Sequence, residues 1–278
     1  MRKFHRRHWW SRHWLIPLVL VLFAFLNLGG QSKLNSALAW TRGTYWNRTS
    51  QQSVRQPPTK QQAQAVLTPS VKKQLGGSAK WNGFGAFTVN NDQTKLNANT
   101  NAAPWAVDHL DSQGRPWQGD AWLNKTTRQY QNRSVTGNGA SSWKPAGFLQ
   151  ATNLSGGYSH AYDRGHLLGY ALVGGLRGFD ASESNPNNIA TQTAWANEAA
   201  SPYSTGQNYY EGLVRKALDR GEQVRYRVTD VYNGNDIVPA GAHIEAKSAD
   251  GNLQYNVFVP NVQRNISINY ATGAVTQR

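Results

Sequence analysis

The sequence contains no cysteine and only one methionine among its 278 residues. Without cysteine there is no disulfide framework, no thiolate metal ligand and no cysteine nucleophile, so any metal ion must be held by nitrogen and oxygen atoms. The charged fraction is also small, at 16%. Aromatic side chains are plentiful, with 11 Trp, 12 Tyr and 8 Phe. They supply the large apolar groups that one hydrophobic core needs.

Acidic residues are absent from the first 91 positions, where 13 of the 29 lysines and arginines lie. Asp92 is the first acid, so residues 92–278 hold the remaining 16 basic side chains against all 15 acidic ones. The net charge of +14 therefore describes the N-terminal part of the chain. A basic tail can bind anionic polymers or membrane surfaces, but an enzymatic function has to be argued from a site.

A long hydrophobic run is missing, although a short one follows the basic N-terminus. Five basic residues within 2–12 precede an apolar stretch over 14–28, which is typical of a signal peptide or signal anchor. That stretch is shorter than the roughly 20 residues of a typical spanning helix. Residues 37–39, Ala-Leu-Ala, have the form of a cleavage site. For residues 1–40 both cleavage and membrane retention stay open, and both predict a C-terminal domain outside the cytoplasm, either secreted or anchored to the cell membrane.

The next segment, residues 41–75, is rich in Gln, Ser, Thr and Pro and poor in apolar residues. Such a composition predicts a disordered linker, which leaves 76–278 as one folded domain. Within this domain, apolar spacings of 3 and 4 predict an amphipathic helix over 209–218, and alternation predicts a strand over 223–232. Further strands are predicted over 243–247, 253–259 and 266–270, a short helix over 190–200, and loops over 82–101 and 132–147. The expected fold class is α+β with an antiparallel sheet.

The segment Asp163-Arg164-Gly165-His166 places an acid, a guanidinium and an imidazole around a glycine. Imidazole can accept a proton from water near neutral pH, Arg can bind a phosphate through two parallel hydrogen bonds, and Gly lets the backbone approach a substrate closely. Phosphodiester hydrolysis needs these properties. Taken alone, the string also fits a surface histidine beside an Asp–Arg ion pair.

The residues that follow favour the catalytic interpretation. Asn188, Asn197 and Glu211 lie downstream, and the separations from His166 to Asn197 and to Glu211 are 31 and 45 residues. With this string and spacing, the sequence resembles the DNA/RNA non-specific endonucleases with a ββα-metal motif, most closely the membrane-associated DNA-entry nucleases of streptococci and lactobacilli. The likeness extends more loosely over 80–278. It implies a ββα-metal nuclease fold, with a central antiparallel sheet flanked by helices, that cuts DNA, with RNA as a further substrate, without sequence specificity.

The resemblance also implies a role for each site residue. His166 would be the general base, and Asn197 would be the only protein ligand of one Mg²⁺, with Mn²⁺ as the alternative ion. Glu211 would orient metal-bound water, and Asn188 would position either the histidine or the waters of the metal. No small-molecule cofactor is expected.

Two residues of the motif have less defined roles. Arg164 would either clamp the scissile phosphate or steady the motif, while Asp163 would orient its neighbours, because a carboxylate is repelled by phosphate.

The histidines and arginines outside the motif have no comparable set of neighbours in the sequence. His109, His160 and His243 are interpreted as solvent or loop histidines, and Arg177, Arg225 and Arg227 as either contacts to the DNA backbone or solvated polar faces.

Two alternatives remain open at this point. One is a membrane-tethered protein that binds nucleic acid without catalysis, and the other is a phosphodiesterase for RNA alone or for a small phosphodiester. The motif handles the phosphate and not the sugar, so it does not separate DNA from RNA.

Overall fold

The computed structural model describes residues 56–138 and 141–278, which belong to one compact unit, Val54–Arg278. The signal peptide or anchor predicted over 1–40, and the first part of the predicted linker, lie outside the described residues. Within the described ranges, no helix has both the length and the apolar character needed to cross a membrane.

Two helices begin the described chain, helices and strands are interspersed in its middle, and five strands end it. The helices are α1 Lys60–Ala65, α2 Pro69–Leu75, α3 Arg133–Thr136, α4 Tyr170–Val173, α5 Ala194–Glu198 and α6 Gln207–Asp219. The strands are β1 Ala79–Trp81, β2 Phe87–Val89, β3 Trp105–Leu110, β4 Pro116–Leu123, β5 Tyr162–His166, β6 Ile189–Thr193, β7 Ala200–Ser201, β8 Ser204–Thr205, β9 Val224–Val231, β10 Gly241–Ser248, β11 Gln254–Pro260, β12 Ile266–Ile268 and β13 Val275–Gln277.

Seven of these strands form the central antiparallel sheet, in the order β1-β2-β11-β10-β9-β4-β3. In β9 the side chains of Val224, Tyr226 and Val228 are buried, whereas the residues between them are half-buried, so one face of the strand is turned to the core. Helix α6 buries Val214 and Leu218 in the same core and contacts β9 and β10. The predicted α+β class, the helix over 209–218 and the strand over 223–232 are therefore confirmed, as are the strands at 243–247 and 253–259.

Three assignments made from the sequence are wrong in part. The helix predicted over 190–200 is a strand, β6, as far as Thr193, and becomes helical only at Ala194. Every residue of β6 is buried, so both faces of the strand are covered and the alternation that marks a half-buried strand is absent. The loops predicted over 82–101 and 132–147 contain β2 and α3.

The linker prediction is wrong from residue 60 onwards, because α1 and α2 pack on the domain. Thr59 forms a capping box with Gln62, and Thr68 caps α2 with Pro69 at its first position. The buried side chains of this segment, all within the main core, are Ala63, Val66, Leu67, Val71 and Leu75. The folded domain thus starts before residue 60, and not at Gly76.

A chain that begins at Gly76 should be less stable than one that begins at Gln56. Removing α1 and α2 uncovers core surface, and burial of one large aliphatic side chain contributes about 1.5–3 kcal/mol, so the loss should exceed about 4 kcal/mol in the free energy of unfolding. Urea denaturation of the two chains measures this difference. Equal midpoints would mean that the two helices do not stabilise the domain.

Arg225 and Arg227 do not form a free basic ridge along β9. Both guanidinium groups bind the carboxylate of Asp120 on the neighbouring strand β4, and the guanidinium of Arg225 also lies 4.5 Å from the ring centroid of Trp105. In the structure these two arginines therefore form a part-buried ion-pair cluster with Asp120 on this face of the sheet.

Candidate active site

The Asp-Arg-Gly-His segment lies in β5, which pairs antiparallel with β6. Helix α5 follows directly after β6 along the chain. Thr193 ends β6 and caps α5 by accepting a hydrogen bond from the backbone N–H of Ala196. A side chain at position 165 would clash with β6, because a Cβ there would lie 2.3 Å from the side-chain oxygen of Gln192 and 2.5 Å from its Cβ. This strand–strand–helix unit places His166 at the end of β5 and Asn197 on α5.

The unit lines an open cleft of about 610 Å³. Five of the six residues predicted for the site line this cleft, namely Asp163, Arg164, His166, Asn197 and Glu211. Other charged and polar side chains of the lining include Arg133, His160, Glu183, Glu198 and Asn208. Positively charged side chains and carboxylates therefore line one cavity. This combination suits a substrate that carries phosphate and a reaction that needs a base.

His166 is held as a neutral imidazole. Its side chain is buried, and its Nε2 lies 3.0 Å from Nη2 of Arg133. Burial, and next the positive charge of Arg133, lower the pKa of His166 to about 3, against weaker opposing effects that include hydrogen bonds with the backbone of Ala181 and Arg164. Because a guanidinium has only donors, Nε2 must be the acceptor, so the neutral ring carries its proton on Nδ1. The unprotonated nitrogen Nε2 is therefore the basic atom of the site.

Asn197 is oriented by Asp163. The Asn197 Nδ2 donates to Asp163 Oδ2 over 3.0 Å, and the other carboxylate oxygen, Oδ1, lies 2.8 Å from Nε2 of His160. A carboxylate accepts hydrogen bonds and does not donate them, so it fixes which end of the amide faces it. The amide oxygen Oδ1 of Asn197 is consequently the atom available to a cation.

Glu211 lies on the first half of α6 and is buried. Gln207 Nε2 donates to Glu211 Oε1 over 3.3 Å, and Arg215 Nη1 lies 3.3 Å from Oε2. Burial raises the pKa of Glu211, and Arg215 counteracts part of that effect. Gly169 makes room for the carboxylate, since a Cβ at that position would lie 2.6 Å from Oε1. Gln207 also donates to the backbone carbonyl of His166, which ties α6 to the end of β5.

Arg164 and Asn188 make mainly structural contacts. Arg164 Nε donates to the carbonyl of Trp143 over 2.7 Å and Nη2 to that of Ser141 over 2.6 Å, so two edges of its guanidinium hold the 141–143 loop. Asn188 is fully buried and does not line the cleft. Its side chain accepts from the backbone N–H of Leu168 and donates to the carbonyl of the same residue, which fixes the chain just after His166.

Two residues of the cleft were missed or misread in the sequence. Arg133 lies in a stretch read as a loop, 33 residues before His166, where no local pattern signals its proximity. His160, interpreted as a solvent or loop histidine, instead lines the cleft and contacts Asp163. Its position three residues before Asp163 was a usable signal, because the residues just before β5 lie at the same end of the β5–β6 strand pair as Asp163.

The donor atoms here fit a hard divalent cation. Asn197 offers an amide oxygen beside the carboxylate of Asp163, and the sequence contains no cysteine that could supply a thiolate. Mg²⁺ prefers oxygen ligands and retains several of its waters, so one amide oxygen together with water and phosphate oxygens is a reasonable set for it.

A large antiparallel sheet that supports a strand–strand–helix unit with histidine and asparagine is the architecture of a ββα-metal nuclease. The sequence profile of the DNA/RNA non-specific endonucleases matches residues 83–276, and the chain belongs to this family. It is also similar to two crystal structures of NucA from Streptococcus agalactiae. The one with magnesium bound is 43% identical, with a TM-score of 0.73 over 79% of this chain and 99% of that chain. The one with no metal bound is 42% identical, with a TM-score of 0.71 over 79% and 98%. The chain is thus an endonuclease that hydrolyses phosphodiester bonds.

Proposed function

We propose that the protein cuts DNA without sequence specificity, with His166 as general base and one Mg²⁺ held by Asn197. The observation that carries this proposal is the neutral, buried imidazole of His166 in the same cleft as an asparagine whose amide oxygen is left available by Asp163. The magnesium ion bound to the similar S. agalactiae NucA supports the choice of cation. Mn²⁺ has the same preference for oxygen ligands and is the alternative ion.

In the proposed mechanism, the attacking water replaces Arg133 as the donor to Nε2 of His166, and Nε2 then takes a proton from this water. The ring is already deprotonated at neutral pH, so no step is needed to prepare it. A bound cation would stabilise the charge that develops on the phosphate and on the leaving oxygen. Glu211, buried beside Gly169, would hold a water of that cation by accepting its hydrogen bonds.

Arg133 is the residue that we propose binds the scissile phosphate. Its guanidinium lies 4.4 Å from the ring centroid of Tyr170, and Nη1 donates to the carbonyl of Ala181, so the group is held with Nη2 beside His166. Arg164 already donates two hydrogen bonds to backbone carbonyls and would mainly steady the motif.

Replacement of Arg133 by Ala should lower the nicking rate by about 10²-fold, because a positioned donor that stabilises transition-state charge is worth this much. Single-turnover rates on a plasmid measure the effect. Arg133→Lys keeps the charge without the planar fork and should recover only part of the activity. If Arg164→Ala loses far more activity than Arg133→Ala, the two arginines have been assigned in the wrong order.

Asp163 would act by orienting Asn197. In Asp163→Asn, the carboxylate is replaced by an amide that can present its NH₂ group to Asn197, and the amide oxygen of Asn197 can then turn away from the cation. We expect about a 10-fold loss of activity or of metal affinity, the range found when a group that orients a metal ligand is removed. Raising the Mg²⁺ concentration should restore part of the rate. A rate that falls equally at all Mg²⁺ concentrations would argue against an orienting role.

The substrate range and the location of the enzyme follow from less specific features. Phosphate-centred chemistry needs no base contact, so RNA is proposed as a further substrate. The basic and apolar N-terminal segment supports action outside the cytoplasm, either as a secreted enzyme or as one anchored at the cell membrane.

Nicking of supercoiled plasmid DNA by the purified chain tests the proposal directly. Cutting should require Mg²⁺ or Mn²⁺ and stop on addition of EDTA, and structured RNA assayed in parallel gives the ratio of the two activities. Family membership favours catalysis over the alternative of a membrane-tethered binding protein. Intact DNA under every metal tested, with retained DNA binding, would reverse that preference.

A further inference from the structure

His160, Asp163 and Glu198 form a cluster of metal-ligating side chains at the edge of the cleft. The Nε2 atom of His160 lies 2.8 Å from Asp163 Oδ1 and 3.5 Å from Glu198 Oε1. One ligand atom from each of the three residues lies within 4.8 Å of the other two. Ligand atoms about 2.0–2.2 Å from a tetrahedral ion lie about 3.3–3.6 Å from one another, so side-chain movements of about 1 Å would close the cluster around an ion.

The three residues are held by different parts of the fold. Asp163 is on β5 and Glu198 ends α5. The backbone of His160 forms an isolated bridge with Thr152, and its carbonyl accepts a hydrogen bond from Gln263 over 3.0 Å. Ligands on separate, well-supported segments form a better-defined site than ligands on one mobile loop.

Partial exposure leaves room for the remaining ligands of an ion. The side chains of His160, Asp163 and Glu198 are 29%, 21% and 35% exposed, and all three line the cleft. A cation could therefore enter from solvent and keep waters in its open positions, while the two carboxylates neutralise its charge.

The geometry points to a second cation site, formed by His160, Asp163 and Glu198, that takes a divalent transition-metal ion of the zinc class. One imidazole with two carboxylates is a donor set that suits Zn²⁺ or Mn²⁺, whereas Mg²⁺ rarely accepts imidazole nitrogen. The site is distinct from the proposed Mg²⁺ position, since it uses Oδ1 of Asp163 while Oδ2 of the same carboxylate holds Asn197. Asp163 then links the two cations.

Zinc binding by the full chain tests this proposal without any assay of DNA cleavage. His5, His8 and His13 of the N-terminus would be replaced by Gln in all samples to remove their own zinc affinity. Titration calorimetry with Zn²⁺ then compares this background with His160→Ala, with the near-isosteric Glu198→Gln, and with His109→Ala, which removes an exposed histidine from outside the cleft. Thermal melting in EDTA checks that each variant is folded.

We expect one Zn²⁺ per chain, bound at least about 10-fold more weakly in His160→Ala and in Glu198→Gln, since each loses a direct ligand. His109→Ala and Asn197→Ala should bind as the background does. A peak at the zinc absorption edge should lie about 2.0–2.1 Å from the His160 ring nitrogen in a crystal soaked with Zn²⁺. Unchanged binding in both His160→Ala and Glu198→Gln, or binding lost only in Asn197→Ala, would overturn the second site and leave the cluster as an ion pair that supports Asp163.

Discussion

Replacement of His166 by Ala should reduce the rate of plasmid nicking by about 10³-fold, within the range that a positioned general base contributes. Nε2 of His166 is the neutral, unprotonated nitrogen in the cleft, and burial with the charge of Arg133 holds the pKa of the ring well below neutral pH. Single-turnover rates at saturating Mg²⁺ measure the loss of the chemical step separately from binding.

Two comparisons make this result interpretable. His109→Ala, an exposed histidine on β3, should cut DNA at the wild-type rate. Addition of free imidazole to His166→Ala should restore part of the activity, because a small base can enter the space that the side chain leaves. A variant that retains wild-type rates would exclude His166 as the base and direct attention to Glu211, whose raised pKa makes it the next candidate.

The sequence predicted those elements of the fold that show one regular face. Helix α6 buries side chains three and four positions apart, strands β9 and β10 bury mostly alternate ones, and all three were identified. Strand β11 was also identified, although its residues after Gln254 are all buried. Strand β6 was assigned to a helix because both of its faces are buried, and the hydroxyls of Thr191 and Thr193 donate to the backbone carbonyls of Ala146 and Val262. Periodicity carries no information for a strand of that kind.

The first third of the domain was the least predictable part. Strands β1 to β4 supply four of the seven strands of the sheet, yet their segments are short or polar and were not identified. Helices α1 and α2 contain only isolated apolar residues between glutamines and lysines, and they are helical because their caps are good and the core covers Val71 and Leu75. Tertiary packing decides such segments, and local composition does not.

The residues of the candidate site also divide into those that the sequence could predict and those that it could not. Residues grouped in the motif, or placed at fixed separations from it, could be named from the sequence, and five of them line the cleft. Arg133 and Glu183 reach the cleft from separate segments, so their proximity to His166 depends on chain folding between them. The sequence also gave no reason to pair Asp163 with Asn197, 34 residues apart, although this hydrogen bond orients the proposed metal ligand.

Replacement of Asn197 by Ala should lower Mg²⁺-dependent nicking by about 10³-fold, because the cation would lose the protein ligand proposed for it and with it several kcal/mol of charge stabilisation. Unlike the loss in His166→Ala, this loss should depend on metal concentration, since binding of the ion to the enzyme–DNA complex is weakened. The measurement is the nicking rate as a function of Mg²⁺ concentration at saturating DNA. Its midpoint should move to a higher concentration in Asn197→Ala and stay unchanged in His166→Ala.

Asn208→Ala is the matched control, because this asparagine also lines the cleft but its side chain bonds to Arg215 and to the carbonyl of Glu198. It should change the midpoint by less than about 10-fold, as expected for a residue that does not contact Asn197, the proposed Mg²⁺ ligand. If Asn197→Ala instead keeps the wild-type midpoint while Glu211→Gln shifts it, the cation must be held by the α6 carboxylate. Asp163 would then have a different role, because fixing the amide of Asn197 would no longer present an oxygen to the ion. The assignment of His166 would survive that result, since its neutral state depends on burial and on Arg133, and not on Asn197.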